Sequence, residues 1–190
     1  VGAFNEDFYM SYREKNVWQQ AFPLTDINSY GNEGAPTLSA DGNIMFFASC
    51  SDEFGDYGGQ DRKGFGSCDI FYSQKINGRW SKPRNGGNLI NSKNWETQPS
   101  FSSDGKTLYF IKGYTGRGPN AKDVDIYMSE IGEDGRFKQP VKLNSNVNSP
   151  GEEESVFIHP DNMTLYFASN GHPGLGGTDL FMSKRQANGD

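Results

Sequence analysis

Short apolar runs separated by turn residues recur along the chain, and three of them share one context. Glu33-Gly-Ala-Pro36-Thr-Leu38-Ser39-Ala-Asp41-Gly42 leads to Met45-Phe46-Phe47. Glu96-Thr-Gln-Pro99-Ser-Phe101-Ser102-Ser-Asp104-Gly105 leads to Leu108-Tyr109-Phe110. Glu153-Glu-Ser-Val156-Phe-Ile158-His159-Pro-Asp161-Asn162 leads to Leu165-Tyr166-Phe167. The copies align without a gap at offsets of 63 and 57 residues. In each, a short apolar stretch, a turn dipeptide and an aromatic-rich run predict a hairpin, with Asp-Gly read as a type I′ turn.

Two further elements recur in step. Asp69-Ile-Phe-Tyr-Ser73, Asp125-Ile-Tyr-Met-Ser129 and Asp179-Leu-Phe-Met-Ser183 predict a third strand, and a fourth copy, Asp7-Phe-Tyr-Met-Ser11, precedes them. The segments at Trp18, Trp80 and Phe137 predict a short fourth strand and lead to Ile27-Asn28-Ser29, Ile90-Asn91-Ser92 and Val147-Asn148-Ser149. The expected fold class is therefore all-β, a β-propeller of four-stranded antiparallel blades. Residues 1–29 supply the third and fourth strands of one blade, 30–92 and 93–149 a blade each, and 150–190 a partial blade. Because propellers need about four to eight blades to close, the chain reads as an incomplete segment of a larger one. Its first residues carry neither a start Met nor a signal peptide, in keeping with a piece of something longer.

Composition supports the strand reading. The 190 residues include 24 Gly and 9 Pro, above the ordinary combined usage of about 12%, together with 14 Phe, 9 Tyr and 3 Trp. The formal net charge of −6 gives no electrostatic footprint for nucleic acid or an anionic membrane. No apolar run is long enough to span a bilayer, so direct membrane insertion is not expected. Loops between the second and third strands differ most in length, 17 residues from Ser51, 10 from Tyr114 and 7 from Gly171. They share one face of the molecule and are the natural place for specialisation.

The combined pattern resembles the TolB-type propeller repeat. Its Trp-x-x-Pro and Ile-Asn-Ser elements resemble the version in OmpA-family envelope proteins of the Bacteroidetes, including PorE-like components of type IX secretion. The resemblance covers about residues 7 to 184, and the third copy departs from it at Val156, His159 and Asn162, which predicts a looser or differently closed turn. It implies a non-enzymatic protein-interaction or scaffolding module, periplasmic and outer-membrane-associated. Its implied partners are envelope or secretion-machinery proteins, with peptidoglycan reached only through a domain outside this segment.

The candidate chemistry is sparse, and neither a cofactor nor a metal is expected. Cys50 directly follows a second strand and Cys68 directly precedes a third, so they face each other across the longest loop and predict a disulfide; a reduced pair is the alternative. Glu33, Glu96 and Glu153 recur once per unit beside what the family places at a central channel. They form either an acidic ring for a cation or basic segment, or structural carboxylates that work with Asn28, Asn91 and Asn148 between blades. Exact recurrence favours the structural role. The acids Asp52, Glu53, Asp56, Asp61 and Asp69, like Asp123 and Asp125, lack EF-hand spacing and read as solvated loops.

His159 and His172 sit in no catalytic pattern, and no nucleophile elbow, zinc-peptidase motif or phosphate loop is present, so no catalytic residue is expected. Rings and an arginine on the variable loops, Phe54, Tyr57, Phe65, Tyr114 and Arg117, are the partner-binding candidates. Two rival functions remain at this level. A carbohydrate-binding or glycan-hydrolysing propeller needs paired carboxylates beside exposed Trp18, Trp80 or Trp95, and a gating propeller needs a serine peptidase domain in the same protein.

Overall fold

The structure, a computed structural model, describes residues 5–59, 61–114 and 123–186. Strands and turns build it, with no helix among the described residues. Four two-residue strands come first: β1 (Tyr9–Met10), β2 (Arg13–Glu14), β3 (Val17–Trp18) and β4 (Phe22–Pro23), with β1 pairing β4 and β2 pairing β3. Then β5 (Asn32–Leu38), β6 (Ile44–Cys50) and β7 (Cys68–Ile76) run antiparallel in sequence order. β8 (Arg79–Trp80) folds back on the end of β7, whereas β9 (Arg84–Asn85) pairs its middle at Phe71 and Tyr72.

The order repeats in β10 (Trp95–Phe101), β11 (Thr107–Tyr114), β12 (Asp123–Glu130) and β13 (Val141–Lys142). It begins again in β14 (Glu153–Ile158), β15 (Thr164–Ser169) and β16 (Asp179–Lys184). One parallel pair, Trp95 with Cys68, joins the first two sets into a nine-stranded sheet, and the bridge between Val124 and Glu152 occupies the equivalent place before the third. The sheets do not close on themselves. The Trp80 segment, expected as a fourth strand, pairs only the end of the third strand and Phe137, expected likewise, bridges just beyond one, each as the return arm of a hairpin; the residues that pair the middle of the third strand lie a few positions later, at 84–85 and 141–142.

Strand alternation explains the aromatic doublets, because neighbouring side chains on a strand point to opposite faces. Phe47 joins Ile27, Met45, Tyr57 and Phe71 in one core cluster, while Phe46 joins Ile70, Ile90, Phe101, Leu108 and Phe110 in the next. Tyr109 likewise passes to the far side of its sheet, into the cluster of Ile111, Ile126, Val147, Val156, Ile158, Leu165 and Phe167. The middle sheet is thus buried on both faces. The third is buried on one, so Leu180 is 80% exposed where its repeat equivalents Ile70 and Ile126 are fully buried.

The turns differ from the type I′ expectation. Gly42 and Gly105 take positive φ (both 69°), but Asp41 and Asp104 do not, and the Gly N–H donates to the carbonyl of Ser39 or Ser102. A type I turn followed by a left-handed residue gives this geometry. Ser39 Oγ donates to Asp41 Oδ1 (2.5 Å) and accepts from Ile44 N–H (2.9 Å); Ser102 repeats both contacts. In the third copy Asn162 supplies the positive φ (57°), and with His159 in place of serine, Asp161 alone accepts from Met163 N–H, Thr164 N–H and the Thr164 hydroxyl. That turn keeps the backbone closure of the other two, Asn162 N–H donating to His159 O and His159 N–H to Thr164 O, so it is not looser; it differs in the side-chain bonds that hold it.

Candidate functional site

Asn28, Asn91 and Asn148 each act as a surrogate strand. Asn91 Oδ1 accepts from Ile70 N–H (2.7 Å) while its Nδ2 donates to Ile70 O (2.9 Å). Asn148 makes the same pair with Ile126 (2.8 and 3.0 Å), and Asn28 with Phe8 (2.9 and 2.9 Å). In all three the clamped residue follows the repeat aspartate. A side-chain amide offers a donor and an acceptor in the geometry of a backbone unit; it supplies the acceptor for the edge N–H and shares the edge carbonyl with a backbone N–H, that of Leu24, Gly86 or Leu143.

The residue after each asparagine hands this lock to the repeat glutamate. Ser92 donates to Glu96 through its N–H (2.8 Å) and its hydroxyl (2.6 Å). Ser29 binds Glu33 through the same two groups, and Ser149 N–H (3.1 Å) and Oγ (2.6 Å) both reach Glu153 Oε1, which also accepts from Ser169 Oγ (2.9 Å). All three carboxylates are buried. Two have cation partners from unrelated places: Arg62 in the long loop pairs with Glu33 and donates to Ile27 O, and Lys112 on β11 lies 3.2 Å from Glu96, whereas Glu153 Oε2 has no hydrogen-bond partner among the described residues. The loop arginine is a partner that the repeat pattern hides, because it lies in the loop whose length and sequence vary most between units. These carboxylates are engaged within the fold and do not form an open acidic ring.

Cys50 and Cys68 are bonded, opposite each other on β6 and β7. The loop they close is packed. Tyr57, expected as an exposed partner-binding ring, is only 2% exposed: it lies against Phe71, donates to Gly66 O (2.6 Å) and to Asp69 Oδ1 (3.1 Å), and so serves the loop's own core. Burial, and then the Asp69 charge, push its phenol pKa well above the ordinary range. Asp69 also accepts from Phe65 N–H (2.8 Å) and Asn85 Nδ2 (2.6 Å), tying the loop to β9.

Loop acids cap the same structure, Asp52 accepting from Phe54 and Asp56 N–H, and Asp56 from Gly58 and Gly59 N–H. Asp61 instead pairs with Lys82 (2.7 Å). Phe54 is 85% exposed, and Phe65 and Tyr114 are also exposed, whereas Arg117 lies outside the described residues.

Asp125, the equivalent of Asp69, is buried beside Lys142 (2.5 Å), and its Oδ1 has no hydrogen-bond partner among the described residues. Burial pushes its pKa up to about 6 against the opposing pull of Lys142. His172 Nε2 lies 2.8 Å from Val147 O, and His159 Nδ1 accepts from Asp161 N–H, so both histidines are occupied locally.

The inner strands β5, β10 and β14 converge on an apolar groove of about 860 Å³, lined among others by Leu38, Pro99, Phe101 and Phe157. Bulges there hold Ala35 (φ 51°) and Gln98 (φ 49°) in the left-handed region, each just before a proline. β14 carries Val156 in place of the proline, keeps the one-residue register shift, and shows no positive φ. Thr37 Oγ1 accepts from Phe101 N–H (3.1 Å) and Ser100 Oγ from Ile158 N–H (2.9 Å), so equivalent hydroxyls stitch each inner strand to the next.

No family model matches the chain, and no curated protein matches its sequence. Solved structures do match its shape. TolB from Acinetobacter baumannii is similar with a TM-score of 0.56 at 16% identity, covering 96% of this chain and 36% of that one. A puromycin-hydrolyzing peptidase of Mycobacterium tuberculosis is similar with a TM-score of 0.55 at 15% identity, covering 97% of this chain and 30% of that one. The chain spans about a third of the length of each. At such identities the likeness concerns the fold alone. Sequential antiparallel units, unclosed sheets and these likenesses together give the chain a TolB-like, propeller-type fold.

Proposed function

We propose that the chain is a stretch of a larger propeller of four-stranded blades. In this reading it works as a non-enzymatic protein-interaction or scaffolding module of a periplasmic, outer-membrane-associated protein, in envelope assembly or type IX secretion. The observation that carries the reading is the use made of the recurrent acids. Glu33, Glu96 and Glu153 are buried and bound by the serines of their own repeats, whereas a glycan hydrolase needs two carboxylates facing a cleft about 5 to 9 Å apart. What the scaffold presents to solvent is a disulfide-closed loop bearing Phe54 and Phe65, with Tyr114 at the base of the next loop. Rigid loops with exposed rings suit protein contacts, and a disulfide suits an oxidising compartment.

The test is photo-crosslinking in the producing cell, with a photoreactive residue at position 54, 65 or 114 and a control at exposed Ile76. Capture of one envelope protein from the three loop positions and not from the control is expected. Equal capture from all four, or none from the loops, overturns the reading. The peptidase likeness supports a second reading, a propeller that gates a serine peptidase; an active-site serine probe that labels the native full-length protein would favour it.

A further inference from the structure

The return arm that follows each third strand has one repeated task. Trp80 packs against the cluster of Ile27, Met45, Phe47 and Phe71 between the amino-terminal strands and the first full unit. Phe137 packs against the cluster between the first and second units, with its ring 5.9 Å from that of Phe46. In both cases an aromatic residue follows Gly-Arg in a turn, Gly78-Arg79-Trp80 and Gly135-Arg136-Phe137. The same stretch of chain then delivers the asparagine that clamps Ile70 or Ile126. Ring and amide therefore arrive together, one in the gap between two sheets and the other on the outer strand edge.

Between the second and third units the corresponding gap is a pocket of about 410 Å³, lined by Tyr109, Met128, Leu143, Ile158, Met163 and Leu165. Tyr109 and Ile158 are the repeat equivalents of Phe46 and Phe101, the rings that meet Phe137's cluster one gap earlier. At the edge of the same sheet Leu180 takes the place of Ile70 and Ile126, and no asparagine clamps it among the described residues. One sheet thus offers both halves of a receptor that the chain fills twice elsewhere.

We infer that the 410 Å³ pocket and the Leu180 edge form one docking site for a hairpin segment of this repeat's own type, its aromatic ring entering the pocket and its asparagine amide pairing with Leu180 N–H and O. The inference rests on reading the units as propeller blades. Ring burial supplies affinity, and the two-point amide contact fixes register, as in strand addition to an open sheet edge.

The probe is a synthetic peptide with the sequence of residues 134–149, added to the chain carrying ¹³C-methyl methionine. The five methionines report on separate places: Met128, Met163 and Met182 line the pocket, while Met10 and Met45 line the groove between inner strands. Saturable shifts at Met128 and Met163 but not at Met10 or Met45 are expected. The apparent Kd should rise roughly tenfold or more for peptides with Phe137→Ala or Asn148→Ala. Leu180→Pro in the protein removes only the edge N–H and should weaken the parent peptide comparably, with the unfolding midpoint of the chain showing that the fold is kept.

Absence of binding, shifts at Met10 and Met45 instead, equal binding of the peptides that lack ring or amide, or self-association of the chain that excludes the peptide would each overturn the inference. Loop crosslinks at 54, 65 and 114 do not involve this edge. Failure of the peptide with those crosslinks intact therefore removes this inference and leaves the proposed function standing.

Discussion

Replacing Asn91 by alanine tests the surrogate-strand role. The amide is buried and makes three contacts: with Ile70 N–H (2.7 Å), Ile70 O (2.9 Å) and Asn85 Oδ1 (2.8 Å). Truncation leaves the N–H of a fully buried residue without a partner, whereas Ile70 O keeps the Gly86 N–H (2.9 Å). A buried polar group left unpaired costs about 1 to 3 kcal/mol, so Asn91→Ala, which orphans one such group, should lose about 2 kcal/mol of unfolding free energy. Asn28 makes the same two backbone contacts at Phe8 but is only half-buried. Water can replace it there, and Asn28→Ala should cost about 1 kcal/mol. Urea unfolding with an unchanged m-value gives both numbers, and amide exchange at Ile70 should accelerate in Asn91→Ala. A loss below about 1 kcal/mol for Asn91→Ala, or a larger loss for Asn28→Ala, would refute the reasoning.

Other perturbations separate the remaining contributions. Cys50→Ser with Cys68→Ser opens a bridge of sequence separation 18 and should cost about 3 kcal/mol in the chain-entropy account; a thermal midpoint unchanged against the oxidised protein would contradict this. Arg62→Met leaves buried Glu33 without its cation and should cost about 3 kcal/mol, much of it recovered when Glu33→Gln is added; an unfolding cycle that shows simple additivity would refute the coupling. For Asp125 the folded pKa of about 6 lies above the ordinary carboxylate value, so the folded state binds the extra proton and stability falls as pH rises through about 6. Asp125→Asn should therefore gain on the wild type between pH 4 and pH 7, and a difference that stays flat with pH would count against burial as the cause. Asp41 and Asp104 titrate oppositely, because Ser39 and Ser102 hydroxyls lower their pKa values; the stability they contribute is lost as pH falls below about 4.

Much of the architecture is legible in the residues. Copies of Glu-x-x-Pro and of Asp-Ile-Phe-Tyr-Ser fix where strands begin, and an aromatic doublet with opposed side chains already implies a sheet packed on both faces. The facing cysteines follow from strand order. Turn type is less legible, since Asp-Gly serves both I′ and the type I plus left-handed geometry, and the choice lies with the Ser39 and Ser102 hydroxyls that hold the aspartates. Tyr57 escaped because its burial is a property of the closed loop: the ring reaches Asp69 and Phe71 only after the disulfide brings both ends together. Arg62 escaped for the same reason. Its partner Glu33 lies 29 residues away, a separation that matches no repeat offset, and the loop carries Lys63 beside it, so the sequence does not single out which cation turns inward.

The account's central claim is that the recurrent carboxylates hold the sheets while exposed rings on the loops make the contacts. It is tested most directly by the affinity of the crosslinked envelope partner for the chain with Phe54 and Phe65 both changed to alanine. The account predicts at least a roughly tenfold rise in Kd with the thermal midpoint unchanged. An unaltered Kd at the same midpoint would contradict it.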